Sequence, residues 1–255
     1  MYNCERQIVR VLDQLNGEIA QYISEVILVN NRSTDNGEAA VQNYFSGYTG
    51  SLPMKLLRNR ENYGLGGSHK VAFDYAIKNE FDYLIVLHGD DQGSIVDLLP
   101  MLRTSTYRDY DCCLGSRFLP DSELPGYSKF RIFGNRVFNI IFSVSTGFRV
   151  RDLGAGLNLY AVPMLKSKYY EHFADNLTFN CYMLLAVSAY RQKHMFFPIT
   201  WREEDQVSNV KMTKQAFQTL KIACGYFFLR KNYLMKSTPG KPPLEYAADV
   251  ICERG

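Results

Sequence analysis

Three short apolar runs, VILV (26–29), MKLL (54–57) and YLIVL (83–87), alternate with longer amphipathic stretches, and this alternation restricts the fold more than any other feature. Four or five apolar residues make a buried strand, and the segments between have the pattern of helices covering a parallel sheet. Ile8, Val11, Leu12 and Leu15 share one helical face, and Ala39 to Phe45 and His69 to Ile77 read as the helices after the first two strands. Beyond Leu98 the order changes. CCLGSRF (112–118) is strand-like, Arg131 to Thr146 has a long helical pattern, and LNLYAV (157–162) is another strand before the helical stretch Phe179 to Tyr190. A length of 255 residues fits one large α/β domain. The expected division is a domain over 1–212, a basic amphipathic helical segment over 213–236, and a tail over 237–255 set off by STPGKPP (237–243).

A net charge of +3 gives no reason to expect nucleic acid as a partner. Cysteines 4, 112, 113, 181, 224 and 252 show no CxxC spacing, and the adjacent pair is badly placed to bridge to itself, so a reduced, cytoplasmic setting is expected. Neither an 18-residue apolar span nor an apolar signal region at MYNCERQIVR is present.

Polar clusters follow two of the strands, and ligands of open α/β sheets bind at carboxyl ends of strands. NNRSTDNG (30–37) follows VILV, and HGDDQG (88–93) follows YLIVL. Asp90, Asp91 and Gln92 between glycines have the chemistry to hold a hard divalent cation that takes further ligands from phosphates. An Asp-rich turn in one case, and an Asx turn with a helix cap in the other, would read the same. Gly64, Gly66 and Gly67 permit close backbone approach, but a dinucleotide fingerprint would need glycine at His69. Arg117, Lys129 and Arg131 follow a strand end and open a helix, where they can clamp an anionic acceptor or form a solvated basic turn.

In one order, YNCE (2–5), EVILVNNRSTD (25–35), NRENYGLGG (59–67), YLIVLHGDDQ (83–92), LGSRF (114–118), Arg131 within KFRIFGNR, and RDLGAGLNLY (151–160) resemble the successive motifs of a family 2 glycosyltransferase. The branch resembled most is that of dolichyl-phosphate mannose synthases and bacterial polyprenyl-phosphate glycosyltransferases. The resemblance spans about residues 2 to 212 and implies a GT-A fold with a mainly parallel sheet, a nucleotide-sugar donor, Mg²⁺ or Mn²⁺, and inversion at the anomeric carbon. It implies donor contacts at Tyr2, Asn3, Glu5, Asn31, Asp35, Asn62, Gly64, Gly66, Gly67 and Gln92. Asp90 and Gln92 fall on the second aspartate and the glutamine of the family's D-x-D-x-Q stretch; His88 stands where the first aspartate is expected, where a neutral imidazole can still ligate the metal or accept a hydrogen bond, and Asp91 can supply the missing carboxylate. Asn30 and Arg32 depart from the family's base-reading pattern.

On the acceptor side the resemblance points to a lipid-linked phosphate gripped by Arg117, Lys129 and Arg131. Asp152 stands nearby, either orienting an arginine or acting as general base. A phosphate monoester is already ionised near pH 7, so it needs no protein base. From Val210 to Thr238 there is no acidic residue, while lysines and arginines punctuate an apolar run, a pattern that suits peripheral contact with a membrane face or a packed helix pair. In the family a first strand precedes the Y-N-C-E stretch; here the chain begins without it, and an internally started chain or a degraded paralogue is expected. The rival functions are transfer to a sugar hydroxyl in cell-surface polysaccharide synthesis and a truncated, non-catalytic nucleotide-sugar-binding protein.

Overall fold

The computed structural model describes residues 1–203, 212–236 and 246–255. The expected bend at 237–243 and the basic residue Lys211 lie outside them. Helix α1 (Glu5–Asp13) buries Ile8, Val11 and Leu12, three positions of the predicted face. Strand β1 (Val26–Asn30) crosses through α2 (Gly37–Gly47) to β2 (Met54–Asn59), which it pairs in parallel, and α3 (Gly64–Lys78) leads to β3 (Tyr83–Leu87). The short α4 (Leu99–Arg103) precedes β4 (Cys112–Ser116), and α5 (Lys129–Thr146) leads to β5 (Leu157–Ala161). Then come α6 (Val162–Leu165), α7 (Phe179–Ala189), β6 (His194–Pro198), α8 (Met212–Leu229), α9 (Lys231–Lys236) and β7 (Ala248–Arg254).

The strands form two sheets, ordered β1-β2-β7 and β3-β5-β4-β6. Pairing is mixed rather than mainly parallel: β4 and β6 are parallel, whereas β7 runs against β2, and β5 runs against both β3 and β4. An apolar run carries no direction, so spacing alone could not distinguish these. The expected tail closes a sheet edge as β7, and the basic segment breaks into two helices at Arg230, whose φ is +51°.

β4 is buried along its whole length. Adjacent strand residues point to opposite faces, so Cys113 enters the core beneath α1 and α2 while Cys112 enters the aromatic core with Phe73, Phe142, Tyr160 and Phe179. Both thiols are free, and burial pushes the Cys113 thiol up to about 12. Lys70 on α3 is buried and donates to the carbonyls of Glu171 (3.2 Å) and Phe173 (2.6 Å) and to Asp175 (2.8 Å). Tyr246, at the entry to β7, donates to the same carboxylate at 2.7 Å. This knot holds the 171–177 loop against α3, where Asn176 and Leu177 reach the site.

Among the described residues no strand lies between β1 and β3. Ile27 and Val29 face Ile85 and Leu87 across cavities of about 250 and 490 Å³. Of the described residues only Met1 pairs there. Its amine donates to Val29 O at 2.6 Å and its carbonyl accepts from Asn31 N at 2.9 Å, so it stands opposite Asn30 as in a parallel ladder. Burial lowers the pKa of that amine. Because N–H groups alternate sides along a strand, Ile27 and Val29 present theirs to the gap, and Leu28 and Asn30 present theirs to β2. Hydrogen exchange is therefore expected to be at least tenfold faster at Ile27 and Val29 than at Leu28 and Asn30; equal protection at all four would contradict an open edge.

Candidate active site

Asn31, just past β1, is the hub of an amide network. Its Oδ1 accepts from Asn59 Nδ2 (3.0 Å) and Tyr63 N (2.8 Å), and its Nδ2 donates to Asn62 Oδ1 (2.8 Å). Asn31, Asn62, Gly64 and Tyr2 line the larger cavity together with Ser68, His69, His88 and Asp90. Asn3, Glu5 and Asp35, expected as donor contacts, are engaged with one another's loops. Asn3 N donates to Ser33 Oγ, Thr34 N donates to Asn3 Oδ1, Asn36 N donates to Glu5 Oε2, and Asp35 accepts Glu5 N at 2.8 Å at the start of α1. They knit YNCE to NNRSTDNG, a role that two distant stretches of sequence do not reveal. Gly66 and Gly67 likewise face protein: a Cβ at Gly66 would meet Ala174 O at 2.6 Å, and one at Gly67 would press on Tyr63 and Tyr246. Their missing side chains admit the 174–176 backbone and the entry to β7.

The two aspartates of HGDDQG diverge. Asp91 has φ +57°, and its carboxylate turns back to α1, accepting from Arg10 Nε (2.6 Å) and Gln14 Nε2 (2.9 Å). It does not join Asp90, so the expected substitution for the aspartate missing at His88 is not what the geometry provides. Asp90 lines the cavity, accepts Gln92 N at 3.3 Å, and has its pKa raised by burial. Gln92 O accepts from Arg202 N at 2.9 Å, which ties the turn to the segment after β6. His88 donates its backbone N–H to Gly156 O at 2.9 Å, and its ring fills the space a Cβ on Gly156 would take. Among the described residues its Nε2 has no hydrogen-bond partner, nor has the Nε2 of His69, whose Nδ1 bonds Leu65 O at 2.8 Å. The rings lie 5.9 Å apart and nearly perpendicular, and burial holds both pKa values down to about 4.

Among the described residues no group of three His, Cys, Asp or Glu side chains converges to hold a metal ion. Asp90 lines the cavity, whereas Gln92 does not and contacts Asp90 through its backbone N–H; one carboxylate is compatible with a divalent cation whose other ligands would be phosphates and waters.

On the acceptor side, Arg117 and Asp152 form a buried bidentate pair, Nε to Oδ2 at 2.8 Å and Nη2 to Oδ1 at 2.7 Å. Arg117 Nη1 donates to Tyr127 Oη at 3.1 Å, and the guanidinium lies 5.3 Å from the Trp201 ring. Of the two roles open to Asp152, the contacts are those of orienting an arginine, and that arginine, expected on a phosphate, faces inward. Arg131 pairs with Glu203 and lies 4.7 Å from the Tyr127 ring, while Lys129 is exposed at the first turn of α5. The two halves meet at Gly156, whose absent Cβ leaves room for both His88 and Trp201.

Asn59, Ser68, His69, Asn176, Tyr127 and Glu203 complete these surroundings without having been singled out. Asn59 belongs to NRENYGLGG, so its motif carried a signal. His69 sits mid-helix, and only packing brings its ring to His88.

The model of the family "Glycosyl transferase family 2" matches residues 1–170. No curated protein matches the chain. Among solved structures, TarS 1-349 of S. aureus in complex with UDP-GlcNAc aligns with a TM-score of 0.56 at 15% identity over 90% of this chain, which spans 65% of that one. Glucosyl-3-phosphoglycerate synthase of Mycobacterium tuberculosis with UDP aligns with a TM-score of 0.59 at 15% identity, covering 88% of this chain and 78% of the other. The same synthase with Mn²⁺, UDP-glucose and phosphoglyceric acid gives 0.56 at 15% identity, covering 88% and 77%. At such identity the likeness is one of fold, GT-A.

Two outcomes follow from the geometry. Asp152→Ala leaves the buried Arg117 charge uncompensated and is expected to cost about 3–5 kcal/mol in urea unfolding, whereas Asp249→Ala, which breaks an exposed, solvent-screened pair with Arg60, is expected to leave the unfolding midpoint nearly unchanged. Between pH 6.5 and 4 the unfolded chain protonates imidazoles that the folded chain keeps neutral, so stability falls as pH falls through that window. Asp90, raised by burial, acts with the opposite sign, so the effect is isolated by substitution. His69→Phe is expected to remove about 1 kcal/mol of the loss between pH 7 and 5.5; an unchanged slope would contradict a buried neutral ring.

Proposed function

The chain belongs to glycosyl transferase family 2, and on that premise we propose that it transfers a hexose from a nucleotide-sugar donor, held at the ends of β1 and β3, to a polyprenyl-type phosphate. The observation that carries this reading is that Asp90 is the only carboxylate among the described residues lining the cavity. A carboxylate so placed suits the donor diphosphate through a divalent cation, and no second carboxylate among the described residues lines that cavity to act as base on a hydroxyl. Asp152, the other candidate base, is held by Arg117. An acceptor already ionised at neutral pH needs neither.

In this reading Asn31, Asn62 and Ser68 face the nucleoside, and Asp90 faces the diphosphate. Mg²⁺ or Mn²⁺ bound there would neutralise the charge developing on the leaving diphosphate. Lys129 and Arg131 draw the acceptor phosphate to the start of α5, where it competes with Glu203 for the Arg131 fork. A phosphate oxygen bonds the anomeric carbon from the face opposite the leaving diphosphate, the bond from that carbon to the diphosphate oxygen breaks, and its electron pair leaves with the nucleoside diphosphate. Configuration inverts. The complexes of similar folds with UDP-GlcNAc, and with Mn²⁺ and UDP-glucose, support the donor class.

Calorimetric titration with UDP and Mn²⁺ tests the donor half: Asp90→Asn is expected to weaken binding at least tenfold, and Asp91→Asn less than threefold. Equal effects would remove Asp90 from the metal. Transfer to a short polyprenyl phosphate, with none to the matching prenol and a loss of tenfold or more in Arg131→Lys, tests the acceptor half. Equal transfer to the prenol would exclude it.

A further inference from the structure

Helix α5 turns Asn139, Phe142, Ser145 and Thr146 inward, as an amphipathic helix must. Its outer face is apolar as well. Phe130, Phe133, Val137, Ile140 and Val144 are exposed, Phe130 by 74% and Val144 by 64%, and their spacing of three and four residues draws one stripe along the helix. Helix α8 packs against α5. It buries Ile222, Ala223 and Tyr226 and exposes Phe217 and Phe228 by 73% and 78%. Arg230 Nη1 donates to Ser145 O at 2.5 Å and locks the far end of α8 to α5. Five large side chains on one stripe, beside a second helix with exposed phenylalanines, exceed the scattered apolar residues of an ordinary surface.

The charges carried by these helices themselves have one sign. α5, α8 and α9 contain no Asp or Glu. Lys129, Arg136, Lys214, Lys221, Arg230 and Lys231 are exposed along them, although the whole chain carries a net charge of only +3. A second copy of the chain packed through this face would bring cations against cations, because a two-fold interface meets itself. Anionic headgroups complement it. An apolar stripe with a cationic border is the form of a helix lying in a bilayer interface, and among the described residues no helix is long and apolar enough to cross a membrane.

We propose that the outer faces of α5 and α8 seat on an anionic lipid bilayer, with Phe130, Phe133, Ile140, Val144 and the α8 phenylalanines in the acyl boundary and the lysines and arginines at the headgroups. The sequence offers the acid-free segment 210–238 either for membrane contact or as a packed helix pair; the longer apolar stripe lies on α5, more than sixty residues earlier. Phe130 and Phe133 flank Arg131 on the first turns of α5, so a seated bilayer brings lipid to the side of the molecule where Arg131, Tyr127 and Glu203 cluster. The inference goes beyond the transferase reading and does not depend on it, since vesicle binding and donor binding are measured separately.

Flotation of the full chain with vesicles of phosphatidylglycerol and phosphatidylcholine, against phosphatidylcholine alone, tests it. Binding is expected to the anionic vesicles, to weaken at least tenfold in Ile140→Glu/Val144→Glu, and to weaken with rising salt and in Lys214→Gln/Lys221→Gln. Thermal unfolding and UDP titration of these variants are expected to match the parent, because the side chains are exposed and outside the cavity. Absence of vesicle binding, or binding indifferent to the Ile140/Val144 pair, overturns the proposal. So does a soluble dimer that Ile140→Glu/Val144→Glu dissociates while neither form binds vesicles, since a second copy would then be what covers the face.

Discussion

The buried pair between Arg117 and Asp152 is the contact on which the centre of the molecule depends. Arg117 directly follows β4 and Asp152 lies in the loop that leads into β5, so two parallel hydrogen bonds tie the exit from one strand to the entry of the other. Tyr127 and Trp201 close around the guanidinium, and Trp201 in turn rests against Gly156, as the His88 ring does. Two charges removed from water hold together only when their geometry is good and their remaining groups are satisfied. The backbone N–H of Arg117 and that of Gly154 both donate to the same carboxylate, which supplies that satisfaction. The pair thereby ties the larger cavity to the start of α5, and the proposed transfer needs those two places held in register.

The gap between β1 and β3 is the opposite case. Strand edges normally pair or are covered, yet here Ile27 and Val29 look across apolar space at Ile85 and Leu87. Met1 closes only the end nearest the site, and in doing so it makes the wall from which Tyr2 and Asn31 face the cavity.

Much of this was legible in the sequence, because the short apolar runs form strands whose neighbours in the chain cover them. VILV, MKLL, YLIVL and LNLYAV each became a strand, and the two strand ends that carry polar clusters border one cavity. β6 was not legible: His194–Pro198 pairs with β4 through backbone contacts that a mixed HMFFP run does not announce. Asp91 and Arg117 show a different limit. Residue type identified both as groups that bind ions, but the partner of each lies far away in sequence, at Arg10 and Asp152, and a left-handed φ at Asp91 decides which way its carboxylate turns. The stripe on α5 was present in the spacing of Phe130, Phe133, Val137, Ile140 and Val144, but a helix pattern shows two apolar faces without telling which one the core takes.

The central claim is that donor and cation meet at Asp90, between the Asn31 network and His88. Paramagnetic broadening of the protein's NMR signals by Mn²⁺, with and without UDP, tests this most directly. With UDP present, signals of His88, Gly89, Asp90 and the Asn31 and Asn62 side-chain amides are expected to broaden strongly, while those of Arg10 and Gln14 beside Asp91 broaden weakly. Broadening centred on Arg10, Gln14 and Asp91, or the same pattern with and without UDP, would contradict the account.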